Sequence, residues 1–346
     1  MSAWEALKTL VPGLSRECRR LGEALDFETF VVGCRFQGTI PPEEQEAPRR
    51  YLNGGVGAYL SRLWRHRRVD FKLPEVRFQL GLADGSVELE IASAYLRGRY
   101  RKLVRGIPQS RWPCRRCRGE GCDRCDGRGR LYADSVEEWI ARPVLTATGG
   151  AGTRIHCMGR EDIDARMLGK GRPFVLEVLE PHRRSPDAGA LATRIAEGST
   201  GCVEVLDLHW GGREDVAAVK QERAEKTYRA VVSCDGTLPA DFAERIESLS
   251  GQVVHQRTPS RVDHRRADLV RERTPRSIEV EADVDPTGAD TTEAVRFAVV
   301  IRADAGMYIK EFISGDDGRS EPSVTAAVGV RCRCVALDVL DVHASP

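Results

Sequence analysis

The chain has 346 residues, 41% of them hydrophobic and 30% charged, with 53 Lys and Arg set against 52 Asp and Glu. That length suits about two domains, and the composition excludes a disordered or collagen-like chain. Apolar runs such as 297–301 fall far short of the ~18 residues a membrane crossing needs, and the start at Met1 lacks a basic-plus-apolar leader, so a cytoplasmic protein with no membrane partner is expected.

Leu7, Leu10, Leu14, Leu21 and Leu25 recur at near-helical intervals and predict one helix broken at Pro12-Gly13, or two short ones. Residues 27–36 are rich in β-branched and aromatic side chains and suit a strand, 51–64 suit a helix, and 76–91 alternate about Ala83-Asp84-Gly85-Ser86 like a β-hairpin. An arginine-rich passage and a cysteine cluster follow, then a short helix at 135–140. Gly149, Gly150 and Gly152 read as a linker, which places the domain boundary near Thr146 and gives two units, 1–145 and 146–346. Beyond it, strand-like runs at 174–179, 202–208, 228–232, 278–284, 295–301 and 335–342 alternate with helix-like ones at 189–197 and 241–249. Both units are therefore α/β (α+β), and the second has a sheet whose parallel or antiparallel character the pattern leaves open.

Cys114-x2-Cys117-x4-Cys122-x2-Cys125 supplies four thiols in two knuckle-like turns. An odd total of eleven cysteines and this crowding favour metal ligation over disulfides, with zinc the expected ion and a closed shell of four cysteines that stabilises the fold. A set completed by Cys18 and Cys34 is the alternative. Around the cluster, 97–130 holds twelve Lys or Arg against three acids. Arg99, Arg101, Lys102 and Arg105, with Tyr95, Tyr100 and Trp112 among them, combine phosphate-neutralising charge with faces on which bases stack, so RNA-binding is expected there. A second basic cluster holds Arg257, Arg261, His264, Arg265, Arg266, Arg271 and Arg273.

Residues 156–174 mix three acids with arginines and glycines ahead of an apolar strand. On composition alone this is either a salt-bridged loop or an active site in which glycines let a ligand approach closely. Its Gly159-Arg160-Glu161-Asp162-x-Asp164-x-Arg166-x-Leu168-Gly169-x-Gly171-Arg172-Pro173-Phe174 resembles the signature of the archaeal and eukaryal tRNA pseudouridine synthases that act on uridines 54 and 55 of the T-loop. The resemblance continues in order through Arg99 to Pro108, Lys226-Thr227-Tyr228, Gln256 to Arg266 and Gly306-Met307-Tyr308-Ile309-Lys310.

That resemblance implies an N-terminal THUMP-containing RNA-binding domain, a C-terminal pseudouridine-synthase domain with a mixed, mainly antiparallel sheet, and no organic cofactor beside the structural zinc. Its partner is tRNA, presented by the T-loop to a monomer with no obligatory protein partner. By the same likeness Asp162 is the catalytic nucleophile, with Asp164 its rival, and Lys310 the cation that keeps it ionised. Tyr228 stacks on the target uracil, Tyr308 and Ile309 line the pocket, and Arg261, Arg265 and Arg266 face the RNA.

Overall fold

The computed structural model describes residues 3–36, 41–81, 84–265, 267–281 and 295–344. Its first unit runs α1 (Ala3–Gly22), β1 (Thr29–Arg35), α2 (Glu46–Leu63), β2 (Arg68–Val69), β3 (Val76–Gly81) and β4 (Val87–Ile91). The sheet order is β2-β1-β3-β4, with β1 parallel to both of its neighbours and β3–β4 the expected hairpin. The expected break in the first helix is absent, because α1 continues through Pro12. A mid-helix proline costs about 3 kcal/mol, and here that is offset by Leu14 and Cys18, which are buried against Leu52, Val56 and Leu60 of α2. Phe27, Phe30, Trp64 and Phe78 meet with ring centroids 5.4–6.3 Å apart and fill the space between helices and sheet.

The second unit begins with β5 (Ala94–Lys102), the arginine-rich passage itself. Residues 103–135 hold the cysteine module, and α3 (Val136–Thr148), β6 (Gly152–Cys157) and β7 (Ala165–Leu179) follow. Then come α4 (Ala188–Gly198), β8 (Val203–Gly211), α5 (Glu214–Gln221), β9 (Lys226–Cys234), α6 (Phe242–Glu247), β10 (Val254–Arg257), β11 (Val270–Arg273) and β12 (Pro275–Glu281). The last elements are β13 (Val295–Ala303), α7 (Ile309–Ser314), β14 (Ser320–Glu321), α8 (Val324–Val328) and β15 (Cys332–Val342).

The large sheet has the order β12-β13-β9-β15-β7-β5-β8, with β6 also paired to β7, and only β15–β7 is parallel. It is the mixed, mainly antiparallel sheet expected. A small sheet, β11-β10-β14, stands beside it. Measured by core, the two units part between Ile91 and Ala94, upstream of Thr146: Leu96 and Tyr100 of β5 and Val136, Ile140 and Val144 of α3 share one cluster with β7, β9 and β15. The glycines read as a linker are a tight turn, in which Gly149 caps α3 in the left-handed region and Gly152 opens β6.

Within β7 the motif glycines serve the backbone and not a ligand. A Cβ at Gly169 would sit 1.8 Å from Leu340 O of β15, and one at Gly171 would sit 2.7 Å from Tyr100 O of β5, both with positive φ. Only glycine lets β7 pass between these two strands there.

Candidate active site

Residues 158–164 link β6 to β7 and carry three carboxylates, of which the neighbours Glu161 and Asp162 turn opposite ways. Glu161 turns inward, where its side chain is wholly buried and pairs with the equally buried Arg172 of β7 at 2.8 Å. Tyr100 Oη donates to Glu161 at 2.8–2.9 Å, and Gln109 Nε2 donates to Tyr100 Oη at 2.8 Å and to Gly159 O at 3.2 Å. Arg172 also donates to Met158 O at 2.6 Å, so this assembly fixes the loop from beneath. Burial opposes charge on Arg172, and Glu161 outweighs it, raising the guanidinium's pKa. Burial, with Glu161 beside it, drives the Tyr100 hydroxyl far above its ordinary value.

Asp162 turns outward into a cavity of about 460 Å³. Its side chain is 31% exposed and accepts from Arg261 at 3.0 Å, with Lys310 Nζ 3.4 Å away. Lys310 binds Asp164 more closely, at 2.7–2.8 Å, and Asp164 is 68% exposed. Arg261 also pairs with the buried Glu311 at 2.5 Å. Burial pushes the Asp162 carboxyl up, but Arg261 and Lys310 outweigh it and hold it below the usual carboxylate range. Burial likewise opposes charge on Lys310, and Asp164 and Asp162 together raise its pKa.

The remaining wall comes from three other elements. Tyr228, on the inward face of β9, is almost buried; burial pushes its hydroxyl up to about 12, with Arg172 opposing and Asp162 reinforcing. Met307, Tyr308 and Ile309 come from the turn into α7, where buried Gln256 clamps the Tyr308 backbone, accepting from its N–H at 2.8 Å and donating to its carbonyl at 3.0 Å. Trp112 enters from the cysteine module and faces Arg160, whose guanidinium lies 5.3 Å from the indole centroid. The structure thus brings Asp162, Tyr228, Tyr308, Ile309 and Lys310 together, and adds Arg261 to them. The sequence reading gave Arg261 to RNA and paired Lys310 with Asp162 first; in the structure Arg261 reaches Asp162 more closely and Lys310 favours Asp164.

The basic run of β5 takes a different course from the one its composition suggests. Strand alternation sends Lys102 inward, where it is fully buried and its ammonium donates to the carbonyls of Ile107, Asp162 and Ile163 at 2.9–3.1 Å. It therefore holds the Asp162 backbone and offers nothing to a polyanion. On the outward face, Arg99 donates to Lys170 O and Val342 O, Arg101 to Gly169 O, and Arg105 to Asp164 O and Leu337 O, all at 2.6–2.8 Å. These arginines strap β7 and β15 while remaining partly open to solvent. The side chain of Arg265, and Arg266 altogether, lie outside the described residues.

Cys114, Cys117, Cys122 and Cys125 place all four Sγ atoms within 4.8 Å of one another, three of the pairs at 3.8 Å. Four sulfurs ~2.3 Å from one tetrahedral ion stand about 3.8 Å apart, so the donor set fits a metal. The N–H groups of Gly121, Cys122 and Gly129 donate to these sulfurs at 3.1–3.2 Å, which favours thiolates. Cys18 and Cys34 lie in the first unit, one in its core and the other donating to Asn53, apart from this cluster. Leu131 N donates to Trp112 O at 3.0 Å and Tyr132 packs edge-on to Trp112 at 5.7 Å, so the module braces the pocket wall. Among the described residues no helix is long and apolar enough to cross a membrane.

Sequence reasoning missed Glu161, Arg172, Tyr100 and Gln109 as a unit. A period-two reading of 94–102 would have turned Tyr100 and Lys102 inward, but the basic composition hid the strand.

Residues 95–343 match the family described as "Pus10, C-terminal". The chain is 41% identical over 337 residues to the tRNA pseudouridine synthase Pus10 of Methanothrix thermoacetophila, covering 94% of this chain and 72% of that one. It is 41% identical to the protein of the same name from Methanothermobacter marburgensis, with 92% and 79% covered, and 42% identical to that of Halorubrum lacusprofundi, with 93% and 78% covered. The solved structure titled "Crystal Structure of a Cbf5-Nop10-Gar1 Complex" overlaps 59% of this chain and 44% of that chain at 18% identity, with a TM-score of 0.34, too low to add to the comparison.

Proposed function

The chain belongs to the Pus10 family of tRNA pseudouridine synthases, which are isomerases, and from that premise we propose that Asp162 is the nucleophile acting on a flipped-out T-loop uridine at position 54, 55 or both. The single observation that carries this reading is a half-buried carboxylate held by two cations in a cavity walled by an aromatic ring. Pseudouridine formation breaks the bond from N1 to C1', turns the uracil, and joins C5 to C1'. The proton on C5 leaves and N1 gains one, so atoms and electrons balance with no redox partner or organic cofactor. Asp162 attacks either C1' of the ribose or C6 of the ring, and in both routes it must be ionised in a site drier than water.

Arg261 and Lys310 supply that ionisation, and Lys102 and the Glu161–Arg172 pair hold the loop in place. Asp162 is preferred to Asp164 because the latter is two-thirds exposed, where water stabilises a carboxylate and blunts its attack. Tyr228 stacks on the extruded uracil, Tyr308 and Ile309 confine it, and the partly exposed arginines along β5 meet the phosphates. Flipping costs a few kcal/mol, which stacking and phosphate contacts offset.

The first unit acts as the THUMP-containing half that holds the tRNA body, and the four-cysteine module carries a structural zinc whose closed shell keeps it out of the reaction. The chain acts on tRNA as a monomer with no obligatory protein partner. An odd total of eleven cysteines, four of them grouped as metal ligands, supports a reducing, cytoplasmic setting.

Pseudouridine mapping by carbodiimide and primer extension on an unmodified tRNA transcript tests the proposal. Stops at one or both T-loop positions are expected, and a folded, tRNA-binding protein that leaves both as uridine refutes it. Loss of activity in Asp164→Asn but not in Asp162→Asn would move the nucleophile. For the metal, a Cys114→Ala/Cys122→Ala double variant should lose bound zinc by elemental analysis, and one zinc per chain retained would overturn the ligand set.

A further inference from the structure

The cavity holds one buried charge that the scheme above does not use. Lys226, the first residue of β9, projects from the same face as Tyr228, lines the cavity, and is only 7% exposed. The three carboxylates of the pocket are already engaged, Glu161 with Arg172, Asp162 with Arg261 and Lys310, and Asp164 with Lys310, as is Glu311 behind Arg261. The adjacent Glu225 pairs with Arg302 and Arg276. Among the described residues, the Lys226 ammonium has a single hydrogen-bond partner, the Ala224 carbonyl at 3.3 Å, and the charge that acts on it is that of the like-charged Arg172. A buried ammonium so placed is costly to the fold, and a strongly perturbed group in a cleft is where function is sought first.

We propose that Lys226 is a catalytic residue that stabilises the negative charge appearing on the uracil ring as its glycosidic bond breaks. This rests on the uridine-isomerase reading. When the bond from N1 to C1' cleaves, both electrons remain with the base, and C1' is taken by the Asp162 carboxylate or is left cationic beside it. The detached uracil is then an anion whose charge lies on N1 and the two carbonyl oxygens. On the route through C1', Asp162 and its cations act on the sugar, which leaves the charge on the ring to another group. A cation with unspent donors, two residues along the strand from the stacking tyrosine, is placed to receive that charge, and no reorganisation is needed at the moment of cleavage. The ring returns to neutrality when C5 bonds to C1', and the proton that C5 then loses is matched by one gained at N1. Burial, with Arg172 beside it, pulls the Lys226 ammonium down to about 8, which leaves it charged at neutral pH and ready to donate.

Single-turnover release of tritium from tRNA labelled at uridine C5, beside tRNA affinity, tests this. Lys226→Met should slow turnover by about 10²–10³-fold with affinity unchanged, as loss of an oxyanion donor does. Lys226→Arg should keep most of the rate, and ethylammonium should partly restore Lys226→Ala, which a packing role would not allow. Wild-type turnover in Lys226→Met overturns the proposal, as do equal losses in the Met and Arg variants with no ethylammonium rescue. A wild-type protein that releases no tritium instead defeats the isomerase reading itself, so the two failures are told apart.

Discussion

Glu161 and Asp162 are neighbours in sequence, carry the same functional group and each face an arginine, yet they do opposite work. Glu161 is sealed, its oxygens shared among Arg172, Tyr100 and Gln109, with no room for another molecule. Asp162 meets Arg261 at Oδ1 and Lys310 at Oδ2, yet its side chain stays 31% exposed on the cavity. A carboxylate saturated by its own protein is scaffolding, whereas one held ionised but left a free face can react. Geometry decides which is which, because both are carboxylates held by cations.

This contrast can be broken at several points. The largest effect should come from Asp162→Asn, which keeps the shape but removes the nucleophilic carboxylate and should lower single-turnover pseudouridine formation by about 10⁴-fold or more while tRNA binding persists; a modest loss would return Asp162 to the scaffold. On the sealed side, Arg172→Met strands Glu161 and should cost about 3–5 kcal/mol in urea unfolding, and a Glu161→Met/Arg172→Met pair should recover much of it. Equal losses in the single and double variants would mean the pair is not the unit described. Lys226→Met should act in the opposite direction on stability. The folded-state pKa of Lys226, about 8, lies below its ordinary value, so a buried charge weighs on the fold fully below pH 8 and progressively less as pH rises past it. The variant should therefore be about 1–3 kcal/mol more stable than wild type at pH 7, with the gain fading toward pH 10.5; a loss at pH 7 would show the ammonium to be a net structural contact.

A smaller effect separates the cations of Asp162. Its carboxyl sits below the usual range, so its ionised form persists until pH falls through that lowered value. Removing a cation raises the pKa, and Arg261→Gln should move the acid limb of the pH-rate profile upward by about one unit. An unmoved limb would assign the ionisation to Lys310 alone.

Much of this was open to reading before any fold was known. The motifs around Asp162, Tyr228 and Lys310 pointed to one pocket through their likeness to the pseudouridine synthases, and the spacing of Cys114, Cys117, Cys122 and Cys125 to one cluster because metal ligation is written locally. What the pattern concealed depends on contacts distant in sequence. Whether Arg261 meets phosphate or Asp162 depends on a partner 99 residues away, and whether Lys102 is surface or core depends on β5 joining a sheet whose other strands come later. Charge obscured that strand, since Arg97, Arg99 and Arg101 alternate with buried residues in a segment that composition alone assigns to solvent. The continuity of α1 through Pro12 was hidden for the same reason, as tertiary burial overrode a local breaker.

β15 contributes no reactive group, yet it is the strand that sets the reaction distance. The loop bearing Asp162 leads into β7, Tyr228 sits on β9, and these two strands touch only through β15, which pairs with each. During synthesis β7 and β9 emerge more than a hundred residues and nearly a hundred residues ahead of it, so both wait with open edges of the kind that invite mispairing. Until residues 332–342 are made, acid and aromatic ring belong to separate halves, and the enzyme gains its pocket in the same step that closes its sheet.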